Sequence, residues 1–151
     1  MGFDIYRLPM FANLRDEHIK PLESLIEPVS YEAGEEVVCQ GLPADYFYIV
    51  IKGKVQISFK PYDGSPITVT HVEAGGLFGW SAVIGSEKYT SSGIVVEPLD
   101  AIRIRGDELR RLTRENPEAG QEILNSLADT ISTRWKDARE QVKLILEHGM
   151  R

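Results

Sequence analysis

The segment IKGKVQISFKPYDGSPITVT, Ile51 to Thr70, decides the fold. Val55, Ile57 and Phe59 alternate with Lys54, Gln56, Ser58 and Lys60, the pattern of a strand with one face buried, and Ile67 and Val69 alternate with Thr68 and Thr70 in the same way. Two turns frame the strands. Ile51-Lys52-Gly53-Lys54 offers a two-residue hairpin turn, and Tyr62-Asp63-Gly64-Ser65 sets Asp-Gly where a type I′ turn takes positive φ. Working outward, Gly34, Gly41, Gly53, Gly64, Gly75, Gly85 and Gly93 punctuate short β-branched runs from Val29 to about Arg105. That spacing predicts a small sandwich or roll.

Helices flank this region. Leu14, Ile19, Leu22, Leu25 and Ile26 suggest a short opening helix that Pro21 bends or restarts and Pro28 ends. Asp107 is an N-cap candidate for a helix over about 107–116 that stops before Pro117. Beyond it, over about 117–147, Leu124, Ala128, Ile131, Trp135, Ala138, Val142 and Ile145 recur at alternating spacings of four and three, an a/d heptad seam. Such a seam predicts a partner helix and a homodimer, the alternative being a helix laid on the roll of its own subunit. The expected fold class is therefore mainly β with flanking helices, a single domain over 1–151.

Composition narrows the function. Net charge is -6, with nine acids and three bases in residues 1–50, five and four in 51–100, and nine and ten in 101–151. No segment concentrates Lys and Arg, so direct nucleic-acid binding is not expected, because that affinity comes from clustered cations neutralising phosphates. No apolar run is long enough to span a bilayer and the N-terminus lacks a signal-peptide layout, so no membrane association and a cytoplasmic location are expected. The single cysteine, Cys39, excludes an internal disulfide and a cysteine-cage metal site, and reads as a small buried strand residue. His18, His71 and His148 are too dispersed for a local ligand pair, which argues against a metalloenzyme on a similar β-roll. Neither a nucleophile elbow nor a Walker loop is present, and Glu35-Glu36 reads as a solvated edge, so no enzymatic activity is expected.

Longer motifs carry a family resemblance. Leu8-Pro9-Met10-Phe11, Tyr31-x-Ala-Gly-Glu35, Gln40-Gly41, the aromatic run Tyr46 to Val50, Gly53 and Gly76-Leu77-Phe78-Gly79 succeed one another in order. The chain resembles the cyclic nucleotide-binding domain of catabolite-activator-type regulators, protein kinase regulatory subunits and gated channels. The resemblance implies a jelly-roll-like β-roll with a long C-terminal dimerisation helix after the Asn116-Pro117 junction. It also implies that Gly76 to Gly79 open a phosphate-binding cassette, with Gly79, Trp80, Ser81 and Ala82 as a backbone cradle for an anion.

Nucleotide-binding family members place a glutamate for the ribose right after the cassette glycine and, further on, an arginine for the phosphate. Here the first position is Trp80 and the second is Tyr89 or Thr90. A charge-assisted phosphate contact contributes roughly 1.5–3 kcal/mol against about 1 for a neutral hydrogen bond, so weak or no cyclic AMP binding is expected. Trp80 and Tyr89 either plug the pocket or line it for a flatter or more apolar ligand. The expected ligand-binding set is Leu77, Phe78, Gly79, Trp80, Ser81, Ala82, Lys88, Tyr89, Thr90, Ser91 and Ser92, with Arg134 and Trp135 of the long helix closing from above. No cofactor is implied beyond a cyclic nucleotide or another small anionic or planar ligand. A protein partner is the other expected contact.

After Ile145 six residues follow, and without the helix-turn-helix that regulators of this kind carry the chain reads as a stand-alone sensor module, the alternative being a fragment of something longer. The alternative is a ligand-free structural or interaction dimer with a plugged pocket. Replacing Ile131 and Val142 together by Glu is expected to give a folded monomer in sedimentation. A double variant that remains dimeric contradicts the seam assignment.

Overall fold

A computed structural model describes residues 8–12, 14–128 and 130. A 3-10 turn, Pro9–Phe11, leads into α1, Asp16–Glu23. Six antiparallel strands follow: β1 Glu27–Tyr31, β2 Glu36–Val38, β3 Tyr46–Phe59, β4 Ile67–Val72, β5 Leu77–Phe78 and β6 Ser92–Arg105. Helix α2, Trp80–Ile84, sits between β5 and β6, and α3, Gly106–Glu115, follows β6. A fourth helix, α4, covers 117–128. The sheet runs β1-β6-β3-β4, with β2 also on β6 and β5 also on β3.

β3 and β6 pair from Tyr46 opposite Arg105 to Ser58 opposite Ser92. Alternation sends Phe47, Ile49, Ile102 and Ile104 to a cluster shared with Phe11, Ile19, Leu22, Leu109, Ile123 and Leu127 of the helices. The opposite face, with Tyr48, Val50, Leu99 and Ala101, fills the roll interior together with Val38, Val55, Ile57, Val72 and Val95.

Val50 and Val55 are five residues apart and both face that interior, which strict alternation forbids. The irregular register between Val50 and Val55 reconciles them. Gly53 sits in it with φ 107°, where a Cβ would lie 2.3 Å from the Pro98 carbonyl oxygen. The hairpin expected at Ile51–Lys54 is therefore a bulge inside one continuous strand. The local signal of a turn glycine is the same in both cases, and long-range pairing with β6 decides between them.

Other expectations shift as well. The hairpin between β3 and β4 exists, but residues 60–66 link the strands and Gly64 lacks positive φ, so the connection is not a two-residue type I′ turn. Pro21 lies inside α1, which ends at Glu23, while Pro28 is a strand residue of β1. α3 begins at Gly106 after an Arg105 cap position, and Asp107 falls in its first turn, where its carboxylate pairs with Arg105 at 3.3 Å. Asn116 separates α3 from α4, accepting the Ala119 N–H on its side-chain oxygen at 3.5 Å.

On α4 the buried stripe is Ala119, Ile123 and Leu127. It lies beside the heptad positions Leu124, which packs on the same cluster, and Ala128, which is half-buried. Ile131, Trp135, Ala138, Val142 and Ile145 lie outside the described residues. His18 of α1, 5% exposed, donates from Nδ1 to Glu122 Oε2 of α4 at 2.5 Å, tying the opening helix to the closing one.

α3 also carries α2. Gly106 lets the helices meet, since a Cβ there would fall 2.0 Å from the Ala82 carbonyl oxygen, and Arg110 Nη1 donates to that oxygen at 2.5 Å. Gly106→Ala is expected to destabilise the domain by about 1–3 kcal/mol in urea denaturation, the usual cost of overpacking. An unchanged midpoint contradicts this docking of α2 on α3.

Candidate functional site

Strand β5 pairs Leu77 with Ile49 and Phe78 with Tyr48, and so delivers the chain to Gly79 beside the start of β3. Gly79 adopts φ 83°, and a Cβ there would be tight, with Tyr46 O 3.0 Å and Phe47 Cα 3.1 Å away. Only glycine meets both conditions. α2 then turns once and ends at Gly85, also at φ 83°. Ser81 on α2 is buried, and its hydroxyl accepts the Thr90 N–H at 3.3 Å and lies 3.5 Å from Thr90 Oγ1. The two ends of the cassette are thereby joined.

The segment after α2 is laced to the loop after β2. Gly41 N–H donates to Tyr89 O at 2.9 Å, Tyr89 N–H to Leu42 O at 3.0 Å, and Ala44 N–H to Glu87 O at 2.9 Å. Gln40 N–H reaches Ser92 Oγ at 2.9 Å, and Pro43 bridges Lys88. Tyr89 is 8% exposed; its hydroxyl donates to Tyr46 O at 2.5 Å and accepts from Tyr46 N–H at 3.2 Å. Burial pushes the Tyr89 phenol up, the bond to Tyr46 opposes this, and the Asp45 carboxylate adds to the rise. A neutral phenol fixed to backbone thus occupies one of the two positions considered for the family's arginine.

The expected site residues divide. Leu77, Phe78 and Ala82 are core residues, with the Phe78 ring stacked on Tyr48 at 4.9 Å. Trp80 packs against the helix-side cluster, whereas Tyr89 belongs to the roll-interior cluster. Trp80 and Tyr89 therefore do not form one aromatic wall. Lys88 and Thr90 are exposed, and Ser91 and Ser92 half-buried. Arg134 and Trp135 lie outside the described residues.

Cys39 is half-buried just beyond β2 rather than buried within it, its thiol pushed up by burial and further by the Glu36 carboxylate. Glu35 and Glu36 are both exposed, and His71 is an exposed residue of β4. Gln40 and Tyr46 matter more than their residue types announced. Gln40 holds Lys60 through both amide atoms, at 2.8 and 2.9 Å, and Tyr46 engages Tyr89 through its backbone, which leaves no side-chain signature.

Among the described residues no group of three His, Cys, Asp or Glu side chains could hold a metal ion, and no helix is long and apolar enough to cross a membrane.

Comparison with known proteins agrees with this geometry. The sequence profile of the cyclic nucleotide-binding domain matches residues 28–116, from β1 to the end of α3. A CRP-like cAMP-activated global transcriptional regulator of Mycobacterium tuberculosis is 29% identical over 122 residues, covering 81% of this chain and 54% of the relative. The chain thus spans about half the length of that relative. A crystal structure from Geobacter metallireducens, described as that of a candidate cyclic nucleotide-binding protein, is 28% identical with TM-score 0.74, covering 84% of this chain and 92% of that one. The regulatory subunit of a cAMP-independent protein kinase A from Trypanosoma brucei is 15% identical with TM-score 0.74, covering 93% of this chain and 48% of that one, a likeness of fold. The β-roll, its glycine-opened cassette and the matched profile, which takes in more than half of the chain, place it in the cyclic nucleotide-binding domain family.

Proposed function

We propose that the chain is a regulatory sensor module that binds a small ligand at the cassette, grips cyclic AMP weakly or not at all, and signals through its C-terminal helix as a homodimer. The observation that carries this reading is the contrast within the cassette. Gly79 at positive φ opens the single turn of α2, Trp80 follows it where the family's glutamate is expected, and Tyr89, considered with Thr90 for the arginine, is hydrogen-bonded to Tyr46. A cyclic phosphate entering there meets a phenol instead of a guanidinium and loses the charge-assisted contact.

Signalling in this reading follows the contacts of α2. Ala82 O is held by Arg110 of α3, and α3 leads through Asn116 into α4. A ligand that favours one position of α2 biases that chain, in proportion to its differential affinity for the two positions. The module acts without catalysis of its own, in the cytoplasm, and reaches nucleic acid only through other domains or partners.

A second reading, an interaction dimer with a plugged pocket, is favoured by the bonds that close the cassette, Tyr89 to Tyr46 and Thr90 to Ser81. The neighbour named as cAMP-independent indicates that this fold is compatible with the loss of that ligand.

Calorimetry with cyclic AMP is expected to give no sub-micromolar binding, and such binding in the native chain contradicts the first reading. Trp80→Glu with Tyr89→Arg, in a variant whose folding is verified, is expected to raise cyclic nucleotide affinity by about tenfold or more, on the order of 1.4 kcal/mol. No gain favours the plugged pocket.

A further inference from the structure

A concavity adjoins the cassette and shares Tyr89 with it. We propose that the cleft between the end of β2, the loop 39–45 and the start of β3 binds a small organic cation, an ammonium group on a flat or apolar body. The cleft has a volume of about 360 Å³, within the roughly 300–1,000 Å³ range of small-ligand sites. Tyr46, Tyr48 and Tyr89 supply aromatic surface, and Val37 and Leu42 supply apolar surface, Leu42 at the rim with 55% exposure. Its charged lining residues are Glu36 and Asp45, and none of its lining residues is basic.

Two arginines lie near the cleft without lining it. Arg103 and Arg105 lie over the Tyr46 ring, 4.1 and 5.3 Å from its centroid, but they are paired with Glu27 at 3.2 Å and Asp107 at 3.3 Å, acids outside the cleft. Two titratable groups in the lining register the local field. Alongside burial, the Cys39 thiol is pushed up by Glu36, while at the Tyr89 phenol the bond to Tyr46 and the charge of Arg103 oppose the rise that burial and Asp45 cause. Two carboxylates on an apolar and aromatic lining without a basic residue favour a cation with an apolar body over an anion of the same shape. The cleft shares Tyr89 with the cassette but carries carboxylates, so it favours the opposite sign of charge from the anion proposed there.

The test is an amide NMR titration of the full chain with 2-phenylethylammonium, and with 2-phenylethanol and phenylacetate as neutral and anionic counterparts of the same body. The ammonium is expected to give saturable shifts centred on residues 36–46, with the other two at least about tenfold weaker. Glu36→Gln with Asp45→Asn is expected to weaken the ammonium by about tenfold or more, and raised NaCl should weaken it in the native chain, which checks the charge dependence without a substitution. Equal binding of the three probes, no saturable shift at the cleft, or indifference to both the variant and salt overturns the proposal. Cyclic AMP titrated into the same variant is expected to behave as with the native chain, so failure here and failure of the cassette reading are told apart.

Discussion

The pairing of β3 with β6 organises everything else in this domain. Each strand has fourteen residues, and they run together from Tyr46 opposite Arg105 to Ser58 opposite Ser92. The helix-side face of this ribbon forms the surface on which α1, α3 and α4 assemble, and the other face forms the inside of the roll. Because a β-ribbon alternates strictly, the bulge at Gly53 is what lets Val50 and Val55 serve the same interior. Every element near the cassette is positioned from this ribbon: β5 hangs on Tyr48 and Ile49, and Tyr89 is pinned to Tyr46.

That dependence explains the character of the site. Gly79 must be glycine because it passes within van der Waals reach of the β3 backbone at positive φ, a demand of packing that exists with or without a ligand. The cradle's form is thus secured by the fold, whereas the anchors of a phosphate and a ribose are side chains that can change independently. At Tyr89, one of the two positions considered for the arginine, the hydroxyl is satisfied inside the protein by the Tyr46 backbone. Hydrogen-bonded tyrosine is a stable occupant of a half-polar interior, since its ring packs in the roll cluster while its oxygen meets both a donor and an acceptor.

Much of this was legible in the residues. Period-two alternation over Lys54–Lys60 and the glycine punctuation pointed to a small sandwich or roll, and the family resemblance implied the roll and a cassette opening at Gly76–Gly79. The bulge at Gly53 was not legible, because a positive-φ glycine serves a tight turn and a bulge equally and only pairing with Pro98 and Leu99 distinguishes them. Trp80 and Tyr89, nine positions apart, read as one aromatic pair, yet α2 turns the first toward the helices and the lacing of 86–90 onto 39–45 turns the second into the roll. The cleft behind Tyr89 had no sequence signal at all, since Glu36, Asp45 and the tyrosines come together only through that lacing.

Tyr89, one of the two positions considered for the family's phosphate anchor, is fastened to the β3 backbone, and the proposed consequence is a cassette that does not seat cyclic AMP. A crystal structure of gently purified protein, grown with cyclic AMP in excess, tests it most directly. Tyr89 Oη is expected within hydrogen-bond distance of Tyr46 O, with no cyclic phosphate seated on Gly79 to Ala82. A cyclic phosphate resting on α2, with the Tyr89 side chain swung away from Tyr46, contradicts it.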